Sequence, residues 1–263
     1  GDIALAFALA PGFMPAVGGF ANDFLGWRAN FGIPAALGLA IAGAVHFLLP
    51  ETLGTRTPFQ AARLARAYAP IARSTRFISF ALLSTAPFIG LFAFFAAGPA
   101  YTMNVIGLTP REFGVLPPIA VCGFLVGLML SRRMLRSPRA GWTVSLGIGV
   151  GLLAAALVFA LYRLELLGAA ALTACMFTHA TGMGIVVPVT TAEAIRPFGG
   201  SAGAASALLG FTQMSGAMAG TLVTSQLGLV LDRYAFPEVM LGGALLGLVA
   251  LAVSARAGRF GVR

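Results

Sequence analysis

The chain has 263 residues, of which 59% are hydrophobic and only 10% are charged, and its formal net charge is +9. A soluble domain carries about 25% charged residues, so this composition excludes an ordinary soluble domain. The 17 basic residues counted in the charge are all arginines, and they lie in the loops between apolar runs and after the last one. This pattern indicates membrane topology and contact with lipid headgroups, with no nucleic-acid partner.

Eight apolar stretches of membrane-spanning length follow one another along the chain. A bilayer core of about 30 Å is crossed by about 20 helical residues, and backbone groups in lipid must be paired within the segment. We therefore predict an all-α, polytopic membrane protein with eight transmembrane helices. The predicted spans are residues 3–21, 29–49, 77–97, 113–130, 142–161, 166–187, 202–230 and 239–255.

The arginines are distributed unequally between the two sets of loops that the spans define. Thirteen fall on one side, and only Arg28, Arg111, Arg163 and Arg233 fall on the other. Cytoplasmic loops carry the excess of positive charge in membrane proteins. The sequence therefore predicts that both termini of this chain are cytoplasmic.

The first span carries two prolines and two adjacent glycines. Pro11 and Pro15 are four residues apart, so they share one helix face, and each removes a backbone donor and bends the helix. Gly18 and Gly19 follow one turn later and allow a neighbouring helix to approach closely. These four residues predict a bent, closely packed helix.

The only long loop is rich in arginine and separates two spans from six. It covers residues 51–76, and its arginines alternate with alanine and leucine. Residues 60–68 can form an amphipathic helix on the inner leaflet, or the whole loop can be a solvated linker.

Three further sequence elements complete a recognisable order. Gly26-Trp27-Arg28 precedes the second span, Leu49-Pro50-Glu51-Thr52 follows it, and a glycine, alanine and serine run extends from Pro197 to Met214. Together with the Pro-x-x-Gly-Gly element of the first span, they resemble the major facilitator superfamily, specifically its proton-driven drug-efflux branch. The run from Pro197 resembles the eleventh helix of the bicyclomycin and chloramphenicol resistance (Bcr/CflA) subfamily.

The resemblance implies a domain organisation. The eight spans would be helices five to twelve of a twelve-helix transporter, and the first four helices would be lacking. Residues 1–50 would be the last two helices of the N-terminal bundle, residues 51–76 the cytoplasmic linker, and residues 77–263 the six-helix C-terminal bundle. Pro11, Pro15, Gly18 and Gly19 would form the antiporter motif at the bundle interface.

The resemblance also implies a function. The protein would export hydrophobic drugs across the bacterial inner membrane by proton antiport with alternating access, as a monomer when full-length and without a cofactor. Its partners would be a drug-like molecule, protons and membrane lipids. No acidic residue lies deep in a predicted span, so we expect the proton-coupling residue in the missing helices. A carrier of a sugar, amino acid or other metabolite, and a fragment that transports nothing, remain alternatives.

Two polar side chains inside the spans are candidates for the substrate cavity. His179 shares a helix face with Met183, and it could relay protons or be a neutral histidine bonded to a neighbouring helix. Gln213 shares a face with Ser206, and its amide either bonds another helix or faces a wet cavity.

Phe88 and Phe92 are the aromatic candidates for the same cavity, because drug pockets are mostly apolar. Phenylalanine facing lipid is the other interpretation. An intramembrane enzyme is not expected, because the two histidines lie on separate spans without a buried carboxylate and no H-E-x-x-H motif occurs. We likewise predict no metal site.

Overall fold

The computed structural model describes residues 17–18, 21, 24–50, 61–134 and 140–256. Its regular secondary structure is helical throughout these ranges. A 3-10 turn, Arg196–Ser201, joins the seventh helix to the eighth. The α-helices are α1 (Ala29–Leu48), α2 (Ala61–Ala72), α3 (Thr75–Asn104), α4 (Pro110–Phe113), α5 (Leu116–Met134), α6 (Ala140–Arg163), α7 (Ala169–Ile195), α8 (Ala202–Leu231) and α9 (Phe236–Arg256).

Six segments in the described ranges are long and apolar enough to cross a membrane. One of them, Ala169–Leu231, has 63 residues and would measure about 95 Å as one straight helix, three times the hydrocarbon thickness. Its backbone leaves helical geometry at Phe198, with φ −111° and ψ 38°, so α7 and α8 are separate helices. The predicted span 3–21 falls largely outside the described residues, and the count of eight is not confirmed.

The helices extend beyond the apolar runs that predict them. The third predicted span, residues 77–97, is part of the 30-residue α3, which continues through Pro99 to Asn104. Hydropathy marks only the part of a helix that lies in hydrocarbon, and a helix can continue into the headgroup region as long as its backbone stays hydrogen-bonded.

The directions of the helices follow from which residues meet. On α5 and α7, Gly123 lies against Phe177 and Gly127 lies against Thr181. Residue numbers therefore increase together, and these two helices are parallel.

Helices α6 and α7 run in opposite directions. Gly147 of α6 lies against Val186, whereas Gly151, one turn later, lies against Gly182. Small residues at these positions let the two helix backbones touch, which is how membrane helices pack in the absence of a hydrophobic driving force between them.

Helix α3 is the centre of the bundle. It is parallel to α8, since Gly216 lies against Thr85 and Gly220 against Ile89. It is antiparallel to α7, which it meets through Arg76 with Glu193 and Pro87 with His179. It is also antiparallel to α9, since Ile89 lies against Gly243 and Ala86 against Gly247. Helices α3 and α5 to α9 thus alternate in direction, as successive membrane crossings must.

These six helices are arranged in two layers. Helices α5, α7, α3 and α8 are neighbours in that order, and α6 and α9 lie behind them, against α7 and α3 and against each other. The interior is apolar at both ends, around Phe80 and Val186 at one end and around Phe236 and Met240 at the other.

Helix α1 contrasts with this bundle because none of its residues is buried. Phe31 and Leu39 are 71% and 75% exposed, although the helix is as apolar as the others. Helix α2 is amphipathic and docks on the bundle at its end, where Ile71 enters the apolar interior while Arg66 stays exposed. The structure thus has a helix within this loop that is longer than the predicted 60–68, and its position on the inner leaflet remains a prediction.

Candidate functional site

His179 lies in the middle of α7 and is 4% exposed. Its Nε2 atom is 3.1 Å from the carbonyl oxygen of Pro87 on α3. A carbonyl only accepts, so Nε2 carries the hydrogen and donates it, and Nδ1 of the neutral ring is an acceptor. Nδ1 is buried without a partner within the described part of the chain. This geometry matches the interpretation of a neutral histidine bonded to a neighbouring helix.

A small cavity adjoins the ring, and we call it the His179 cavity. It lies between α3, α6, α7 and α9, and its lining includes Pro87, Gly147, His179, Met183 and Gly247. The space is about 20 Å³, which fits one water molecule and is far smaller than a drug pocket. His179 and Met183 therefore share a site, but this site has no room for a drug.

Gln213 lies on the opposite flank of α3. Its Nε2 atom donates a 2.6 Å hydrogen bond to Oγ of Ser84 and so joins α8 to α3. Gln213 is half-buried, and Ser206, two turns earlier on α8, is exposed. The amide thus bonds another helix, as the first interpretation has it, and a wet cavity beside Gln213 remains a prediction.

Phe88 and Phe92 continue the face of α3 that begins at Ser84. The three residues are four apart, which places them in one stripe on the helix. Both phenylalanines are half-buried, and Phe92 meets Phe95 edge to face at 5.7 Å. We call Phe88, Phe92 and Gln213, together with the buried Ser84 that binds Gln213, the α3–α8 surface.

The structure therefore separates the candidate cavity residues into two groups. Pro87, which holds His179, is rotated about 100° around α3 from Phe88. The interior group is His179 and Met183, and the half-buried group is Phe88, Phe92 and Gln213 of the α3–α8 surface. Ser206 has no described contact with either group.

The residues predicted for the bundle interface are mostly outside the structural description. Pro11, Pro15 and Gly19 are not among the described residues. Gly18 is described, and a Cβ there would meet only Asn30 Oδ1, at 3.4 Å. The close helix approach predicted at Gly18 remains a prediction.

A charge cluster at one end of the bundle was missed in the sequence. Glu193, near the end of α7, pairs with Arg76 at the start of α3 and with Arg196 at 3.0 Å. The Arg76 guanidinium also lies over the ring of Phe80, 5.6 Å from its centroid. The available signal was an acidic residue at the arginine-rich end of an apolar helix.

The other end of the bundle is held by aromatic side chains. The Tyr101 hydroxyl donates to the carbonyl oxygen of Leu167 at 3.0 Å, and its ring meets those of Tyr162, Tyr234 and Phe236. Tyrosine belts of this kind occur where helices reach the membrane–water interface.

One short motif with a catalytic precedent is present, at residues 199–203, which fit the pattern G-x-S-x-G. A nucleophile elbow requires a strand, a sharp turn and a helix. Ser201 instead ends a 3-10 turn between two helices, and His179 is engaged in mid-helix by Pro87. In this structure the motif forms part of the connection between α7 and α8.

Apolar helices of membrane-spanning length that alternate in direction and touch at glycines are the architecture of a multi-pass membrane protein. The Major Facilitator Superfamily model matches residues 3–221, and the chain belongs to this superfamily, whose members are in general transporters and not enzymes. The resemblance seen in the sequence is confirmed.

A curated relative sharpens the family assignment. The chain is 26% identical over 233 residues to a Bicyclomycin resistance protein homolog of Haemophilus influenzae, and the match covers 85% of this chain and 56% of the relative. The chain thus spans about half the length of that protein. The match supports a Bcr/CflA-like member of the superfamily.

Proposed function

We propose that this chain provides helices five to twelve of a bacterial inner-membrane exporter that expels hydrophobic drug-like molecules in exchange for protons. The observation that carries the proposal is the α3–α8 surface, where the Ser84–Gln213 hydrogen bond adjoins the phenylalanine stripe. An apolar wall with a few polar groups is what a drug site presents. The name of the Haemophilus influenzae relative supports a drug as the cargo.

The packing supports the proposed domain division. Helices α3 and α5 to α9 share one interior, whereas α1 buries nothing against them. We assign residues 1–50 to the N-terminal bundle, 51–76 to the linker and 77–263 to the C-terminal bundle. The exposed apolar surface of α1 would then be covered by other helices of its own bundle.

The distribution of arginines supports the proposed orientation. Arg76, Arg132, Arg133, Arg196 and Arg256 lie at the end of the bundle where α3 begins and α9 ends. Arg163 and Arg233 lie at the other end. The positive-inside rule then places the first end, with the linker, in the cytoplasm.

The mechanism we propose is alternating access. The two bundles rock about a site near the midplane, which opens to one side of the membrane at a time. The α3–α8 surface holds the apolar body of the cargo on Phe88 and Phe92, and Gln213 bonds a polar group of the cargo. The proton-coupling carboxylate belongs to helices one to four of the complete transporter.

The test is drug efflux from cells that lack their own exporters and produce the complete transporter. We expect Gln213→Leu to reduce efflux of a polar-substituted hydrophobic drug at least about tenfold, because a buried cargo group would lose its partner. Gln226→Leu is the matched control, since Gln226 lies on the same helix and is exposed. Equal efflux by both variants would contradict the proposed site. Uptake of a sugar or amino acid by the unmodified protein would favour a metabolite carrier.

A further inference from the structure

A cleft lies at the end of the bundle where α8 turns into α9, and we call it the Asp232 cleft. It is formed by α3, α8 and the loop that joins α8 to α9, and its lining includes Ala96, Leu229, Asp232 and Tyr234. Its volume is about 370 Å³, which is within the range of small-molecule sites, about 300–1,000 Å³. Ala96 follows Phe92 by one turn of α3, so the cleft adjoins the α3–α8 surface.

The charge in excess in this cleft is negative. Arg233 also lines it, but its guanidinium pairs with Glu238 at 2.9 Å. The Asp232 side chain has no ion pair within the described residues. Asp232 directly follows α8, whose last turn contains no basic residue, so its carboxylate adds to the negative end of the helix dipole. A bound cation would offset both charges.

The lining indicates an organic cation rather than a metal ion. The described residues contain no group of three or more His, Cys, Asp and Glu side chains that could hold a metal, and one carboxylate falls far short of the oxygen ligands that Ca²⁺ requires. Ala96 and Leu229 offer apolar surface to the body of an organic molecule. Tyr234 adds an aromatic ring, a group that attracts ammonium ions.

An unpartnered hydroxyl is a second, independent sign of a ligand in the same cleft. Thr224 lines the cleft about two turns before the end of α8 and is 1% exposed, and its hydroxyl has no partner within the described part of the chain. Thr221 on the same helix instead donates to the carbonyl oxygen of Ala217 at 3.1 Å. Buried hydroxyls are nearly always hydrogen-bonded, so a ligand that reaches the inner end of the cleft would supply the missing partner.

We propose that the Asp232 cleft binds a small organic cation that has an ammonium group at one end, an apolar body and a hydroxyl at the other end. The ammonium pairs with the Asp232 carboxylate, the body lies along Ala96 and Leu229, and the hydroxyl bonds that of Thr224. This site does not include Gln213, and it would bind the cation even if the protein exported nothing.

Ligand-observed nuclear magnetic resonance with tyramine tests the charge. The full chain is studied in lipid nanodiscs, with empty nanodiscs as the blank. We expect Asp232→Asn to weaken tyramine binding at least about fivefold, because a charge-assisted contact is lost, and asparagine tolerates the positive φ of 48° at this position. Glu165→Gln is the matched control, since Glu165 is exposed, has a φ of 58° and follows α6 at the same end of the bundle. Equal binding losses in the two variants, or no loss in Asp232→Asn, would overturn the proposal.

A second substitution tests the inner end of the cleft. Thr224→Val removes the hydroxyl at nearly constant volume, so we expect tyramine to lose its advantage over phenethylammonium, which has no hydroxyl. Thr221→Val is the matched control, because the Thr221 hydroxyl is already bonded within the helix, and it should leave the preference unchanged. If Thr224→Val fails to fold, the unsubstituted chain decides, since equal binding of the two cations there would exclude Thr224 as a partner.

Discussion

The His179 cavity and the α3–α8 surface lie on two flanks of the same helix, and each contains a polar side chain in an apolar setting. His179 is enclosed by four helices and touches a cavity of about 20 Å³, whereas Gln213 bonds Ser84 and remains half-exposed. A polar residue in an apolar helix can thus either join helices or present itself to a ligand. The burial of the polar side chain and the volume of the space beside it distinguish the two roles.

The largest effect on stability is expected where the backbones of α6 and α7 touch beside the His179 cavity. Gly182 lies against the backbone of Gly147 and Gly151, so Gly182→Leu must separate α6 from α7. We expect the free energy of unfolding in detergent to fall by about 3 kcal/mol, the upper range for overpacking. Gly149→Leu is the control, because a Cβ at Gly149 meets nothing within 4 Å. Equal stability of the two variants would show that this interior is not tightly packed.

His179→Leu should lower the free energy of unfolding by about 1 kcal/mol, because it removes buried polar contacts between helices, which are worth this much in membranes. The apparent KM for an exported drug should not change, since the cavity is too small to hold the drug. Stability is measured by denaturant titration and KM by efflux from proteoliposomes containing the complete transporter. A changed KM with unchanged stability would mean that His179 takes part in binding the drug, the role proposed for the α3–α8 surface.

The Ser84–Gln213 pair should give a smaller stability effect than His179 but a larger one on transport. In a double-mutant cycle with Ser84→Ala and Gln213→Leu, we expect a coupling of about 0.6 kcal/mol, the average for membrane helix hydrogen bonds. The same variants should raise the apparent KM for drug. A coupling of zero would show that the two side chains do not interact.

The smallest effect is expected at the charge cluster outside both regions. Arg76→Gln should reduce stability by about 0.5 kcal/mol, since the pair with Glu193 is partly exposed and screened by solvent. Arg196→Gln should reduce stability by a smaller amount, because the Arg196 side chain is 71% exposed. Both losses should shrink in high salt. Losses that persist at high salt would mean that the cluster is shielded from solvent.

Individual residues show how far the sequence could predict the site. The face shared by His179 and Met183 was predicted from their spacing, and both line one cavity. The sequence also grouped His179 with Phe88 and Gln213 in one candidate cavity, whereas the structure places His179 beside Pro87 and Gln213 beside Ser84, on two flanks of α3. Glu193 was passed over because its partner Arg76 is 117 residues away in sequence, and no local pattern connects them.

The sequence by itself determined the all-helical class, the location in a membrane, the unequal distribution of arginines between the two sets of loops, and the superfamily. These depend on local properties, since apolar length and internally paired backbone decide whether a segment can cross a bilayer. Only the tertiary structure decided which flank of each helix faces the interior and which polar groups meet. Membrane helices are apolar all round, so no polar stripe marks the inward face, and only packing against neighbouring helices places His179 inside and Gln213 at the surface.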